Sequence, residues 1–197
     1  MIRWFGRSML LAALVIVLAA AGTACGGGDE SATTKQTTYT NAQYGFEITY
    51  AEPLSQVNMT ASGGADYEIA FADKDGPLVD DQYANGVMVI VKELERPVKA
   101  ADVRKLGDDE EFKRTLKKSF TDAGRTITSD VEMTEINGVP GFTLTCEGTL
   151  GGEQLTCRLT VLYKDKLSYS LTEQTVSDDW TSMESTLHRV VQSFTTL

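Results

Sequence analysis

Three groups of side chains in this 197-residue chain have the chemistry to do more than pack: Cys25, Cys146 and Cys157, the lone His188, and a loop rich in aspartate. The last two cysteines are the most informative pair. In the segment from Phe142 to Val161 two runs of alternating polarity flank Gly151-Gly152, a two-residue hairpin signal. Pairing Leu150 with Glu153 sets Cys146 opposite Cys157, Leu144 opposite Leu159 and Phe142 opposite Val161, all on one face because side chains alternate along a strand. Thr143, Thr145, Glu147, Thr156, Arg158 and Thr160 take the other face. Apolar alternation and cysteine placement select the same register, and opposed residues lie about 4.5 to 5.5 Å apart at Cα, within bonding reach of two sulfurs. A metal or redox centre needs further ligands or a CxxC spacing, and neither is present. The pattern predicts a structural Cys146–Cys157 disulfide, which suits an oxidising compartment.

His188 stands one turn after Glu184 in a helical apolar pattern. A Ser-His-acid site also requires a nucleophile held on a sharp turn, as in GxSxG, and the sequence has none. The phosphate-cradling GxGxxG and GxxxxGK[ST] signatures are absent too. His188 therefore reads as a solvated helix histidine, and the chain as no enzyme. Asp73, Asp75, Asp80 and Asp81, with Lys74 and Gly76 between, offer the oxygen ligands calcium takes, but the EF-hand order of acids and its closing glutamate are missing. The loop reads as solvated acids, with no metal and no cofactor expected.

Cys25 belongs to a different region. Arg3 and Arg7 precede an apolar stretch from Met9 to Ala21, then come Gly22-Thr23-Ala24-Cys25 and three glycines. This layout resembles the lipobox of bacterial lipoproteins, in which the cysteine sulfur takes a diacylglyceryl group and the signal is cut in front of it. Gly22 departs from the aliphatic residue that lipoboxes usually carry at that position. Residues 1–24 are thus expected to be a signal peptide, with Cys25 as the lipid attachment site. An uncleaved anchor is the competing reading, because Ser8 to Gly28 carries no charge over about 20 residues, though its apolar core is short for a span. Release as a free secreted protein is the third. Two acyl chains would hold the protein firmly where one is marginal. Residues 25–38 lack the apolar surface to fold and are expected to be a disordered tether of roughly 20 Å reach.

Residues 39–197 are the size of one domain. Losing Arg3 and Arg7 with the signal takes the formal charge from −10 to −12, which argues against nucleic acid and for solubility. Strand alternation dominates: Phe46, Ile48, Tyr50; Tyr67, Ile69, Phe71; Val87, Val89, Val91; Leu167, Tyr169, Leu171. Turn signals fall between, at Ser62-Gly63-Gly64, Asp75-Gly76-Pro77, Asn85-Gly86, Asn137-Gly138 and Lys164-Asp165-Lys166. Sequential hairpins make an antiparallel sheet. Phe112, Leu116 and Phe120 predict a helix over residues 108–123, stopped by Gly124. A closing helix, capped from Ser177-Asp178-Asp179, carries a stripe of Trp180, Met183, Leu187, Val190, Val191 and Phe194.

The phrase Tyr44-Gly45-Phe46-Glu47-Ile48-Thr49-Tyr50 with Pro53 close behind, the middle helix, the hairpin entered through Asn137-Gly138-Val139-Pro140-Gly141 and the closing Val191-Gln192-Ser193-Phe194 resemble the PsbP/Mog1-like fold, and within it actinobacterial lipoproteins of the LpqN kind. The resemblance covers residues 39–197 and implies an α+β domain, an α/β/α sandwich with helices on both faces of a central antiparallel sheet. It carries no site motif. The function it implies is that of a non-catalytic binding or accessory module of the cell envelope, lipid-anchored on the extracytoplasmic face of the membrane, with an envelope protein or small ligand as partner. A carrier of a small apolar ligand and an envelope hydrolase working through carboxylates are the alternatives.

Overall fold

The computed structural model describes residues 35–61, 64–122 and 124–197; the signal, Cys25 and all but the last residues of the expected tether lie outside the described residues. The first described element is a strand, β1 (Gln36–Asn41), paired antiparallel with β2 (Phe46–Ala51) from Gln36↔Ala51 to Asn41↔Phe46. Among the described residues, strand structure is thus already present at Gln36, within the stretch expected to be tether. The threonines that made this stretch look like tether are residues that fit a pleated surface, and Thr38 Oγ1 meets Thr49 Oγ1 across the pair at 3.0 Å.

The main sheet has seven strands, all pairs antiparallel. Its order is β3 (Leu54–Asn58), β4 (Tyr67–Asp73), β7 (Gly86–Val98), β11 (Glu153–Val176) and β10 (Val139–Leu150), with β8 (Thr126–Ile127) and β9 (Glu132–Ile136) both on β10. Between β4 and β7 lies a small hairpin of β5 (Leu78–Val79) and β6 (Gln82–Tyr83). The single sheet expected from sequence is joined by a second, because β12 (Thr195–Thr196) completes a three-stranded sheet with β1 and β2. Phe46 and Ile48 of β2 are fully buried against Ile69, Phe71 and Val89. The small sheet therefore lies over the core and not beside β3.

Strand β11 doubles back on itself. Arg158 and Glu173 touch, and Thr156 Oγ1 is 2.9 Å from Ser177 Oγ; a straight strand rising about 3.3 Å per residue would hold such pairs roughly 50 Å apart or more. The reversal falls at Asp165, which takes left-handed backbone at φ 53°. The first arm pairs with β10 and the second with β7. The Lys164-Asp165-Lys166 turn of the sequence is thus the centre of the sheet's topology.

Along the first arm, consecutive residues look to opposite faces, and each face has its own helices. Cys157 clusters with Phe142, Leu144, Cys146 and Val103, under α1 (Ala100–Leu106) and α2 (Glu110–Asp122). Arg158 meets α3 (Trp180–Gln192) on the other side. Helices therefore cover both faces. Helix α1 has no counterpart in the sequence reading, since over seven residues it buries only Val103. The helix expected over 108–123 starts at Glu110, with Asp109 Oδ1 accepting from the Glu111 and Phe112 amides at 2.9 and 3.0 Å as its cap. The expected Ser177-Asp178-Asp179 cap of α3 is instead a turn of 3₁₀ helix without a side-chain cap bond, and Asp179 accepts from Asn85 Nδ2 at 2.8 Å. Helix α3 buries Leu187, Val190 and Val191, while Trp180 is only partly covered.

At Gly141 the backbones of β10 and β11 come close enough that a Cβ would overlap the Val161 carbonyl oxygen. Only glycine fits there.

Candidate functional site

A polar cluster with a buried acid is built between the two arms of β11 and α3. The second arm presents Tyr169, Leu171 and Glu173 to the core face. Glu173 breaks that apolar series, and its side chain is 0% exposed. Arg158 comes from the first arm, and Trp180, Glu184 and His188 come from α3 at successive i, i+4 spacing, one stripe beside the apolar one.

The Arg158 guanidinium is the hub. Its Nη1 lies 3.3 Å from Glu173 Oε2, its Nη2 donates to Glu184 Oε1, and its centre sits 5.5 Å above the Trp180 ring. His188 Nδ1 is 3.2 Å from Glu173 Oε1 and 3.3 Å from Arg158 Nη1. An arginine always donates, so Nδ1 accepts from Arg158 in the neutral Nε2-protonated ring, and turns to Glu173 as a donor when protonated there. Burial pushes the Glu173 carboxyl above its ordinary value, against the pull of the Arg158 charge and the His188 hydrogen bond. Arg158 is the permanently charged partner of this buried carboxylate, and without it only His188 would be left to compensate the charge.

The arrangement holds a helix to a sheet. His188 has a carboxylate and a guanidinium as its hydrogen-bond partners, and neither is a hydroxyl or thiol nucleophile. The sequence reading of His188 as a solvated helix residue is corrected: it is half-buried and tied to a buried acid. That pairing was missed because Glu173 reads as exposed and Arg158 lies in another arm, although the interruption of the Tyr169, Leu171 alternation marks it.

Cys146 and Cys157 are joined in a disulfide with Cα atoms 5.3 Å apart, opposed in the register that also pairs Leu144 with Leu159 and Phe142 with Val161. The bond lies under α1 and α2. Cys25 lies outside the described residues. The aspartates of the acidic loop are parted: Asp73 Oδ1 accepts from the Asp75 amide at 3.0 Å within one turn, while Asp80 and Asp81 form the tip of the β5–β6 hairpin. Among the described residues no three His, Cys, Asp or Glu side chains gather as a metal site.

Recesses indent the described surface. One, of about 370 Å³, runs along α2 and is lined by Glu110, Lys113, Arg114, Lys117, Asp130 and Val131. A shallower one of about 200 Å³ includes Thr143, Thr145 and Arg158. Both linings mix apolar surface with charged side chains, Lys113, Arg114 and Lys117 in the first and Arg158 in the second, whereas sites for small apolar ligands are walled mostly by hydrocarbon with few polar groups. No helix among the described residues is long and apolar enough to cross a membrane.

An antiparallel sheet with helices on both faces defines a class of small α+β modules. The PsbP family profile matches residues 34–196, and the chain belongs to the PsbP family. Among solved structures it is similar to cyanobacterial PsbP (CyanoP) from Synechocystis sp. PCC 6803, at 18% identity over 87% of this chain and 98% of that one, with a TM-score of 0.54. It is also similar to LpqN of Mycobacterium tuberculosis, described as involved in cell envelope biogenesis, at 10% identity over 83% and 91% of the two chains and a TM-score of 0.48. No curated protein matches the sequence.

Proposed function

We propose that this protein is a membrane-anchored, extracytoplasmic lipoprotein whose PsbP domain acts as a non-catalytic binding or accessory module of the cell envelope. The observation that carries the reading is Cys25, preceded by an apolar run and small residues and followed by a glycine-rich stretch that ends where β1 begins. The disulfide suits the same side of the membrane. The polar cluster supports the non-catalytic half, since Glu173 is spent on Arg158 and His188. Nucleic acid is not among the partners, given an acidic chain of formal charge −10.

Complementation of a null strain tests the reading. A His188→Ala chain at normal protein level should restore function, because a module without a general acid or base has none to lose; loss of an essential one costs about 100-fold or more in rate. Failure of that chain would favour an enzyme. Crosslinking in intact cells followed by mass spectrometry should return an envelope partner from wild type, and recover less of it from Cys25→Ala as local concentration at the membrane falls.

A further inference from the structure

Leu78 and Tyr83 are direct cross-strand partners in the β5–β6 hairpin, so they share a face, and they are 61% and 38% exposed. Val79, on the opposite face, is 4% exposed and packs with Ala84 and Leu155. The hairpin is pinned by one side and turns an aliphatic and an aromatic side chain outward from the other. Asp80 and Asp81 at its tip both take left-handed backbone, φ 49° and 60°, which is the tight two-residue turn of a hairpin. The Asp80 carboxylate closes on Gly151, where an added Cβ would meet its Oδ1 at 2.7 Å.

The chain path places the start of β1 at the same end as this pair. Gln36 at the start of β1 pairs with Ala51, β3 begins just beyond at Leu54, Leu54 pairs with Asp73, and Asp73 leads through one turn into β5. The start of β1 and the hairpin therefore occupy the same end of the domain. Cys25 precedes Gln36 by eleven residues, a stretch that spans at most about 40 Å when extended. Leu197 is as apolar and 65% exposed, but its amide is bonded to Gly45 at the opposite end.

We propose that the Leu78–Tyr83 face of this hairpin rests on the lipid surface to which Cys25 is anchored. The proposal rests on the lipoprotein reading above. Leucine gives hydrocarbon to the interface, and tyrosine places its ring at the boundary with its hydroxyl among the headgroups. Such a contact is weak alone, but the anchor makes it intramolecular at high effective concentration. Asp80 and Asp81 at the tip keep it shallow and make it less favourable on an anionic surface. The contact would fix which way the domain faces.

With Cys25 acylated and Cys146–Cys157 bonded, Leu78→Cys and Leu197→Cys each supply a single free thiol. The full-length acylated chains, labelled there with a polarity-sensitive dye, are reconstituted into phosphatidylcholine vesicles. Position 78 should show blue-shifted emission and quenching by nitroxide-bearing lipid, less of both in phosphatidylglycerol vesicles, and position 197 should show neither. Chains that float with the vesicles while the label at 78 behaves like that at 197 overturn the contact and leave the anchor standing. Chains that do not float overturn the anchor, and the contact with it. A shift at 78 that disappears when the chains are diluted within the membrane assigns the face to a second copy and also overturns the proposal.

Discussion

Arg158 and Glu173 lie in the two arms of one doubled strand, 3.3 Å apart, the carboxylate sealed from solvent and the guanidinium extended over it toward α3. Their contact ties three segments together: the arm that carries the disulfide, the arm that pairs with β7, and the closing helix.

Arg158→Met should therefore destabilise the domain by about 3 to 5 kcal/mol at neutral pH, the cost typical of stranding a buried charge. The loss should shrink in acid, where Glu173 takes up a proton and no longer needs the arginine. Denaturant unfolding followed by Trp180 emission measures this, and the native emission itself should change because the cation leaves the ring. An equal loss at all pH values would contradict the assignment.

Glu173 also sets a pH trend of its own. Its carboxyl lies above the ordinary value in the fold, chiefly through burial, so the native state binds the proton more tightly than the unfolded chain does. The stability this contributes is complete below the unfolded value and is lost as pH rises through the folded one. Wild-type stability relative to Glu173→Gln should accordingly fall from acid toward neutral pH. A difference that rises over the same range would reverse the sign of the shift.

Reduction of Cys146–Cys157 releases a loop of about a dozen residues, for which the chain-entropy model gives a little under 3 kcal/mol. The melting temperature should drop with the fold retained, since the core around Phe46, Val89 and Leu171 does not include the bond. Thermal unfolding with and without reductant reads this out. Loss of native structure on reduction alone at room temperature would contradict it.

Gly141→Ala should be among the most damaging small substitutions in the domain, because the methyl group would overlap the Val161 carbonyl across the β10–β11 pair. Gly124→Ala, with nothing within 4 Å of the added carbon, meets only the strain of its left-handed backbone at φ 80°, of order 1 kcal/mol. Comparing the two by denaturant midpoint separates steric clash from conformational cost.

Cys25→Ala should abolish labelling by a palmitate analogue and leave the apolar leader uncut. Labelling of the variant at wild-type strength would remove Cys25 as the acyl acceptor.

What could be read from the residues follows from how many independent patterns met at each place. In the β10–β11 hairpin, polarity, the glycine turn and two cysteines agreed, and the register is the one they define. The stripe of α3 was equally legible at Leu187, Val190 and Val191. Strand β1 was not, because Gln36-Thr37-Thr38 shows no alternation and owes its conformation to pairing with β2. Helix α1 fell below notice with a single buried valine. Glu173 was hidden for a different reason. A carboxylate is assigned to solvent until its counter-charge is located, and here that charge arrives from fifteen residues upstream.

The anchor proposed at Cys25 would also bear on how the domain carries load. Strand β1 runs from Gln36, where the preceding chain arrives, up to Asn41, antiparallel to β2 along its whole length. A pull through the residues before Gln36, directed away from the domain, acts along the strand axis. The rungs between β1 and β2 are then sheared together, rather than opened one after another as they would be by a pull from the side. Attachment through Cys25 would give the small sheet the mechanical role of a strap, and place the first resistance to extraction in the segment whose composition least suggested a fold.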